Sequence, residues 1–186
     1  MGKMKFEIEK GVLMHYKGIE KEVMIPEGTR VIAPKAFLGS TVTAVHIPDS
    51  VREIAHHAFM GCKRLTEVLL PASVAKIGNH AFCNCTNLKK VMYNGNALRW
   101  IGRFAFSGCR DVTEIHIPAG VTGISKDAFY NCELLEHIYL DTDEAPWVDD
   151  CDPFGSCPRK LCIHGLPGGS LESFAKEYDY TWEAHT

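Results

Sequence analysis

The residues best suited to chemistry in this chain are its eight cysteines and nine histidines, which occur among 186 residues. Cysteine thiolates and histidine rings bind zinc, and a cysteine beside a histidine can act as an activated nucleophile. Five cysteines recur at nearly constant spacing, namely Cys62, Cys85, Cys109, Cys132 and Cys157. Regular spacing points first to a repeated structural position, so the repeat must be defined before chemistry is assigned.

An Ala-Phe pair repeats through most of the chain. Its phenylalanines are separated by 22, 23, 24 and 23 residues and are Phe37, Phe59, Phe82, Phe106 and Phe129. An isoleucine stands five residues before each Phe, and from the second copy onward a cysteine stands three residues after it. A stretch spaced as L-x-x-L-x-L follows, as in Leu65, Val68 and Leu70. A fixed period of about 20 to 50 residues is typical of a solenoid.

The repeat predicts the local structure of each coil. Apolar alternation at the end of the L-x-x-L-x-L stretch is typical of a short strand with one buried face. Because each coil returns the chain to the next strand, we expect these strands to stack in parallel about 4.8 Å apart. Residues 5–16 alternate and break at Gly11, which predicts a hairpin over the first sheet edge. At the other end, Ser170 is expected to cap a helix over 170–178, followed by a strand near Tyr180 to Trp182.

The frame I-x-x-x-A-F-x-x-C-x-x-L-x-x-I-x-I-P resembles the BspA-like subfamily of bacterial leucine-rich repeats over about residues 20 to 178. The resemblance implies a leucine-rich repeat solenoid, a right-handed β/α superhelix of mostly short parallel strands with short helical or 3-10 turns. It also implies an N-terminal β-hairpin cap and a C-terminal helix cap. Members of this family are often surface-exposed or adhesive bacterial proteins, which implies an unidentified protein partner, such as a host or cell-surface protein.

The repeat boundaries predict a single leucine-rich repeat domain over residues 1–186. Residues 1–25 are expected to form the N-terminal cap, and 26–140 five repeats of about 23 residues. Residues 141–165 form a degenerate sixth repeat, and 166–186 the C-terminal cap.

The position of the cysteines in the repeat favours a structural role. Five of them stack one per coil, with Cβ atoms expected about 4.8 Å apart and parallel, whereas a disulfide needs about 3.8 Å. We therefore expect them to be reduced and buried in the core. Outside this column, a loop disulfide between Cys151 and Cys162 remains open if the protein is secreted. Cys83 beside His80 is the candidate thiol nucleophile.

The histidines suggest one candidate metal site. Glu114 and His137 are expected to be neighbours on adjacent strands, with His116 close by, which could form a surface zinc site. A plain Glu-His contact on a solvated sheet is favoured. The chain lacks the sequence motifs of common enzyme classes. The sequence therefore predicts no catalytic residues, no metal and no cofactor, with a metal-dependent or thiol enzyme as the alternative.

The outward side chains of the strands form the predicted binding surface. An apolar stripe with a charged flank is typical of a recognition patch, whereas scattered apolar residues would indicate an ordinary sheet face. The predicted partner-binding residues are Glu67, Leu69, Lys90, Met92, Glu114, His116, His137 and Tyr139. A second patch, for a partner or for weak self-association, is predicted at Trp100 and Phe104, which are aromatic where other coils are mostly polar.

Charge and hydropathy narrow the class of partner. The net charge of -3 and the pI of about 6.3 do not favour nucleic acid. No apolar run reaches the roughly 18 residues needed to span a bilayer. The N-terminal residues lack the apolar segment of a secretory signal, which indicates a cytoplasmic location, or a cell-surface or secreted one if a signal was removed. Together these features predict a non-enzymatic scaffold for protein recognition or adhesion.

Overall fold

The computed structural model describes residues 5–148 and 151–184. Its chain winds into a β-solenoid of about seven coils with one short helix near the C-terminus. The predicted fold class is confirmed, since short parallel strands recur once per repeat and a hairpin and a helix lie at the two ends.

Two kinds of strand alternate along the chain after an N-terminal hairpin of β1 (Phe6–Glu9) and β2 (Val12–Tyr16). The longer strands are β3 (Glu22–Met24), β5 (Ala44–His46), β7 (Glu67–Leu70), β9 (Lys90–Tyr93), β11 (Glu114–Ile117) and β13 (His137–Leu140). The two-residue strands, each ending at an isoleucine of the repeat, are β4 (Val31–Ile32), β6 (Glu53–Ile54), β8 (Lys76–Ile77), β10 (Trp100–Ile101) and β12 (Gly123–Ile124). The chain continues with β14 (Cys162–Gly165), α1 (Ser170–Glu177) and β15 (Thr181–Ala184).

The two kinds of strand form different sheets. The two-residue strands continue the hairpin into one seven-stranded sheet, in the order β1-β2-β4-β6-β8-β10-β12. The longer strands form two four-stranded sheets, β3-β5-β7-β9 and β11-β13-β14-β15. One face of the solenoid is therefore continuous, and the other is divided between β9 and β11.

The repeated phenylalanines form the core of the solenoid. Six rings, from Phe37 to Phe154, are at most 1% exposed, and successive rings stack with centroids 4.7 to 5.7 Å apart. Tyr16 of the hairpin stacks on Phe37 at 4.9 Å, so the N-terminal cap extends the same column. Burying one Phe side chain stabilises a fold by about 1.5 to 3 kcal/mol, so this column is a main contribution to stability.

Four column cysteines, Cys62, Cys85, Cys109 and Cys132, are buried thiols, as predicted, whereas Cys157 in the last coil is half-buried. No disulfide joins the eight cysteines. Each column thiol donates a weak hydrogen bond to the carbonyl of the Phe in the preceding coil. Cys62 Sγ lies 3.0 Å from the Phe37 oxygen, and the four later pairs are at 3.1 to 3.3 Å. The cysteines therefore link adjacent coils as well as filling space. Cys162 lies outside the column, on β14.

Tight turns connect the strands on the side opposite the longer strands. The residue two before each Phe is left-handed, with φ between 55° and 64°, at Lys35, His57, His80, Phe104 and Asp127. The residue two after each of the five Phe residues has φ between 57° and 71° and is Gly or Asn. Glycine adopts this conformation freely and asparagine tolerates it, which explains the residue types at that second position.

The C-terminal helix closes the last coil but begins differently from the prediction. Gly169, not Ser170, is the N-cap residue, and it makes no side-chain cap bond. The Ser170 hydroxyl instead accepts the Ala145 N–H at 2.7 Å and bonds the Glu144 carboxylate at 2.9 Å. The N-cap prediction was wrong because this serine anchors the loop of the preceding coil.

Candidate recognition face

The outward side chains of the longer strands lie in the two columns that the repeat predicts. In the first sheet, Glu67 pairs with Lys90 and Leu69 with Met92. The structure adds Met24, which pairs with His46, at the start of the apolar stripe. Met24, Leu69 and Met92 are 76%, 43% and 41% exposed. We call the outward surface of both four-stranded sheets the recognition face.

The second sheet carries a stack of rings on the same face. Glu114 pairs with His137, and His116 with Tyr139. The Tyr139 ring lies between those of His116 and His164, with centroids 4.4 Å from each. Burial, and to a lesser extent the nearby Glu114 carboxylate, raises the pKa of Tyr139. The tyrosine therefore stays neutral at physiological pH.

The sequence interpretation missed Cys162 and His164, which continue the two columns on β14. Cys162 pairs with His137, and His164 with Tyr139. A signal was present, because Ile163 follows Cys157 by six residues, as Ile138 follows Cys132. The degenerate loop before this coil obscured that register.

The recognition face is divided by a gap between β9 and β11, which we call the seam. Within residues 5–148, no backbone hydrogen bond joins these strands, although they lie side by side. The seam opens as a groove of about 590 Å³ lined by Lys89, Lys90, Val91, Met92, Asp111, Thr113, Glu114, His116 and Leu134. Four of the eight predicted binding residues therefore border one groove.

The fourth coil differs from its neighbours at this point. Lys90 and Glu114 are 24 residues apart, whereas Glu67 and Lys90 are 23 apart, because an extra residue lies near Asn94–Asn96. The seven-stranded sheet accommodates that residue, since β10 pairs with both β8 and β12. Tyr93 also stands where neighbouring coils have leucine or isoleucine, and its hydroxyl is buried without a hydrogen-bond partner among the described residues. We attribute the seam to these two departures from the repeat.

The two sides of the seam carry opposite charges. Lys89 and Lys90 lie on the β9 side, and Asp111 and Glu114 on the β11 side. None of these four side chains forms an ion pair within the part of the chain that the structure describes. Leu134, which is 52% exposed, lies with Met92 in the same groove. The groove thus combines apolar surface with uncompensated charge of both signs.

The predicted second patch is partly covered by its own chain. Trp100 is 37% exposed, and its ring lies over Gly123, where a Cβ atom would come within 2.3 Å of Cε3. Phe104 is part-buried and stacks on His80 at 5.1 Å, with the Arg103 guanidinium 4.8 Å from its centroid. Both residues remain partly exposed, and their role in binding stays a prediction.

The environment of Cys83 does not activate a thiol nucleophile. The side chain is buried, and burial raises the pKa of its thiol, which opposes formation of the thiolate. Burial, and then the charge of Arg103, lowers the pKa of His80, whose ring lies between those of His57 and Phe104.

The residues that could hold a metal ion differ from the candidate set that the sequence suggested. Among the described residues, the group of three metal-ligating side chains whose ligand atoms all lie within 4.8 Å of one another is His137, Cys162 and His164. It shares only His137 with the candidate set of Glu114, His116 and His137. None of the described helices has the length and apolar character needed to cross a membrane.

Stacked coils of L-x-x-L-x-L strands around a phenylalanine column define a leucine-rich repeat solenoid. The family model for the BspA-type leucine-rich repeat region matches residues 8–145 in six copies. The chain therefore belongs to the BspA-type leucine-rich repeat family. No curated protein matches it.

Solved structures share this fold. A leucine-rich repeat protein from Bacteroides ovatus is 25% identical with a TM-score of 0.70, over 91% of this chain and 44% of that one. The T. pallidum leucine-rich repeat protein is 27% identical with a TM-score of 0.69, over 92% of this chain and 89% of that one. The pneumococcal vaccine antigen PcpA is 16% identical with a TM-score of 0.64, and the match covers 97% of this chain and 46% of PcpA. At this identity the similarity shows the fold alone. This chain thus spans less than half the length of the first of these relatives.

Proposed function

We propose that this protein is a non-enzymatic recognition scaffold that binds another protein on its recognition face, centred on the seam. The observation that carries the proposal is the groove between β9 and β11, with exposed Met92 and Leu134 between sides of opposite charge. Family membership supports the coarser class, since leucine-rich repeat proteins are repeat scaffolds that commonly mediate protein interactions.

The composition of the seam indicates the chemistry of the bound segment. Its lysine side favours acidic groups and its Asp-Glu side favours basic groups, so the fitting segment carries both charges around an apolar residue. The apolar residue would contact Met92, and the inner edges of β9 and β11 offer main-chain groups to the partner's polar atoms. Charge complementarity of this kind mainly sets association rate and specificity, whereas the buried apolar anchor holds the complex together.

The surface is formed before binding, which lowers the entropic cost of association. The strands that carry the face are held by the phenylalanine column and the cysteine hydrogen bonds, so binding needs to order only exposed side chains. A protein of a host or of a cell surface is the proposed partner, and weak self-association through Trp100 and Phe104 is a separate proposal.

The experiment is a comparison of captured proteins by quantitative mass spectrometry, from the native lysate and from host material. The baits are the wild type, Met92→Glu and Leu38→Glu. Leu38 is a matched control because it is 52% exposed but follows Phe37 on the turn side of the first coil. We expect at least one protein to be captured by the wild type and the control and reduced about tenfold or more with Met92→Glu.

A photo-reactive residue introduced at Met92, with the same residue at Leu38 as control, then tests direct contact. The partner is expected to cross-link from Met92 alone. Equal capture by all three baits, or cross-linking from Leu38 only, contradicts binding at the seam.

A further inference from the structure

Three metal-ligating side chains converge on two adjacent strands of the second sheet. The parallel pairing of β13 with β14 places His137 opposite Cys162, and His164 follows two residues later on the same face. His137 Nδ1 lies 2.9 Å from His164 Nε2. One ring nitrogen of each histidine and the Cys162 sulfur all lie within 4.8 Å of one another. His137 precedes Cys162 by 25 residues, so the stacking of adjacent coils brings it next to the Cys162–His164 pair.

The distances suit a tetrahedral metal ion after small side-chain movements. Zinc bond lengths of about 2.0 Å to nitrogen and 2.3 Å to sulfur place two nitrogen ligands about 3.3 Å apart and nitrogen and sulfur about 3.6 Å apart. Changes of at most about 1.2 Å in these separations therefore bring the three ligands to bonding distance. Two imidazoles and a thiolate are ligands for zinc-class ions, whereas calcium and magnesium prefer oxygen.

A carboxylate lies next to the Nδ1 atom of His164, the ring nitrogen that does not face His137. Glu183 pairs with His164 across β14 and β15, and its Oε2 lies 3.4 Å from His164 Nδ1. A hydrogen bond from Nδ1–H to a carboxylate leaves the Nε2 lone pair for a metal and fixes the ring orientation, as in many metal sites. The Tyr139 ring, stacked at 4.4 Å, further restricts rotation of His164.

Burial and charge are also suited to a bound divalent ion. Cys162 and His164 are 5% and 8% exposed, whereas His137 is half-buried, so the cluster opens to solvent on one side. The two positive charges of a divalent ion are balanced by one thiolate and the nearby Glu183 carboxylate, so the net charge of the site is zero. This balance reduces the free-energy cost of desolvating the ion at a mostly buried site. The solvent-facing side leaves room for water as a fourth ligand.

From this geometry we propose that His137, Cys162 and His164 bind one zinc-class transition-metal ion, with Glu183 as the positioning residue for His164. The ion links β13 to β14 at the degenerate last coil, where the repeat sequence is weakest. The proposal does not depend on the recognition function, because it needs no protein partner and is tested with the metal alone.

The test uses the full chain without a histidine tag, stripped of metal and kept reduced. Zinc is titrated against a chromophoric chelator, and cobalt is used as a spectroscopic probe. We expect one equivalent of zinc and, with cobalt, a thiolate charge-transfer absorption. Cys162→Ala and His164→Gln are expected to weaken zinc binding more than 100-fold, and Glu183→Gln about 10- to 100-fold with the stoichiometry retained. His116→Gln, which changes the same ring stack outside the cluster, is the matched control and should bind as the wild type does.

Zinc binding that is absent from the wild type, or equal in the wild type and the double variant Cys162→Ala/His164→Gln, overturns the proposal. The circular dichroism spectrum of each metal-free variant reports whether it is folded. If either substitution unfolds the chain, Glu183→Gln and the cobalt spectrum of the wild type decide the question, since cobalt absorption without a thiolate band excludes Cys162 as a ligand.

Discussion

At the scale of single residues, position in the coil decides what a side chain does. The column cysteines face inward, and Cys62 and Cys85, for example, donate to phenylalanine carbonyls. Cys162 has the same chemistry but lies on the outward side of its strand, next to two histidines. The histidines divide in the same way, since His57 and His80 stack on the turn side at 4.9 Å, whereas His137 and His164 meet on the sheet.

The His57–His80 stack makes stability depend on pH. Burial, followed by the charges of His80, His56 and Lys35, lowers the pKa of His57 below its ordinary 6.5, and burial and Arg103 lower that of His80. Between the folded and unfolded pKa values, the unfolded chain therefore binds more protons at these histidines than the folded chain does. The stability that the neutral His57 and His80 rings contribute is complete above pH 6.5 and is lost as pH falls below 6.5 towards the folded pKa values.

The measurement is urea unfolding of the wild type and of the double variant His57→Asn/His80→Asn between about pH 7.5 and pH 5. Asparagine is chosen because it tolerates the left-handed backbone at both positions. We expect the free energy of unfolding of the wild type to fall more steeply with acid than that of the variant. Parallel curves would show that the stacked rings titrate normally.

At the scale of elements, departures from the repeat in the fourth coil coincide with a change in strand pairing. The seven-stranded sheet runs unbroken past β10, but the longer strands are divided at the seam. The fourth coil is therefore hydrogen-bonded to both neighbours in the seven-stranded sheet, whereas β9 and β11 are not paired with each other. The predicted partner-binding residues lie on the side of the longer strands, where the pairing is interrupted.

Deletion of Asn96, an exposed residue near the insertion, restores the 23-residue spacing between Lys90 and Glu114. We expect β9 and β11 to form ladder hydrogen bonds, so that their amide hydrogens exchange about tenfold or more slowly than in the wild type. Hydrogen exchange followed by NMR measures this effect, and partner capture is expected to fall with it. Unchanged exchange in a folded variant would show that Tyr93, or another feature, holds the seam open.

At the scale of the whole molecule, the array depends on its two ends. Stability in a solenoid is approximately a sum of contributions from each coil and each interface, so an uncovered end coil exposes its core. The N-terminal hairpin covers one end through Tyr16 and Phe37, and α1 covers the other with Leu171, Phe174 and Ala175. The domain boundaries given by the repeat, with caps at 1–25 and 166–186, remain our proposal.

Truncation after residue 165 removes α1 and β15 and tests the C-terminal cap. Loss of the burial of Leu171 and Phe174 is expected to lower the free energy of unfolding by about 3 to 6 kcal/mol. The Phe154 ring and the edge of β14 become exposed, so we also expect self-association. Urea unfolding and size-exclusion chromatography measure the two effects, and a monomer of unchanged stability would contradict this role.

The repeat made the regular part of the molecule predictable, and its irregular part was harder to predict. The spacing of Phe82, Cys85 and Val91 fixes which side chains point inward, so the outward columns with Lys90 and Met92 followed directly. The effect of an added residue near Asn94 did not follow, because pairing across it depends on how the connecting turn closes. The cluster at His137 was missed for a related reason, since the degenerate sixth coil concealed the register of Cys162.

The seam also gives the array a preferred line of bending. On one face the coils before and after it are joined by a continuous sheet, and on the other no ladder resists their separation. Tension applied between the two ends would therefore separate β9 from β11 first, while the seven-stranded sheet stays intact. Bending along this line would change the angle between the two four-stranded sheets and leave the pairing within each sheet intact.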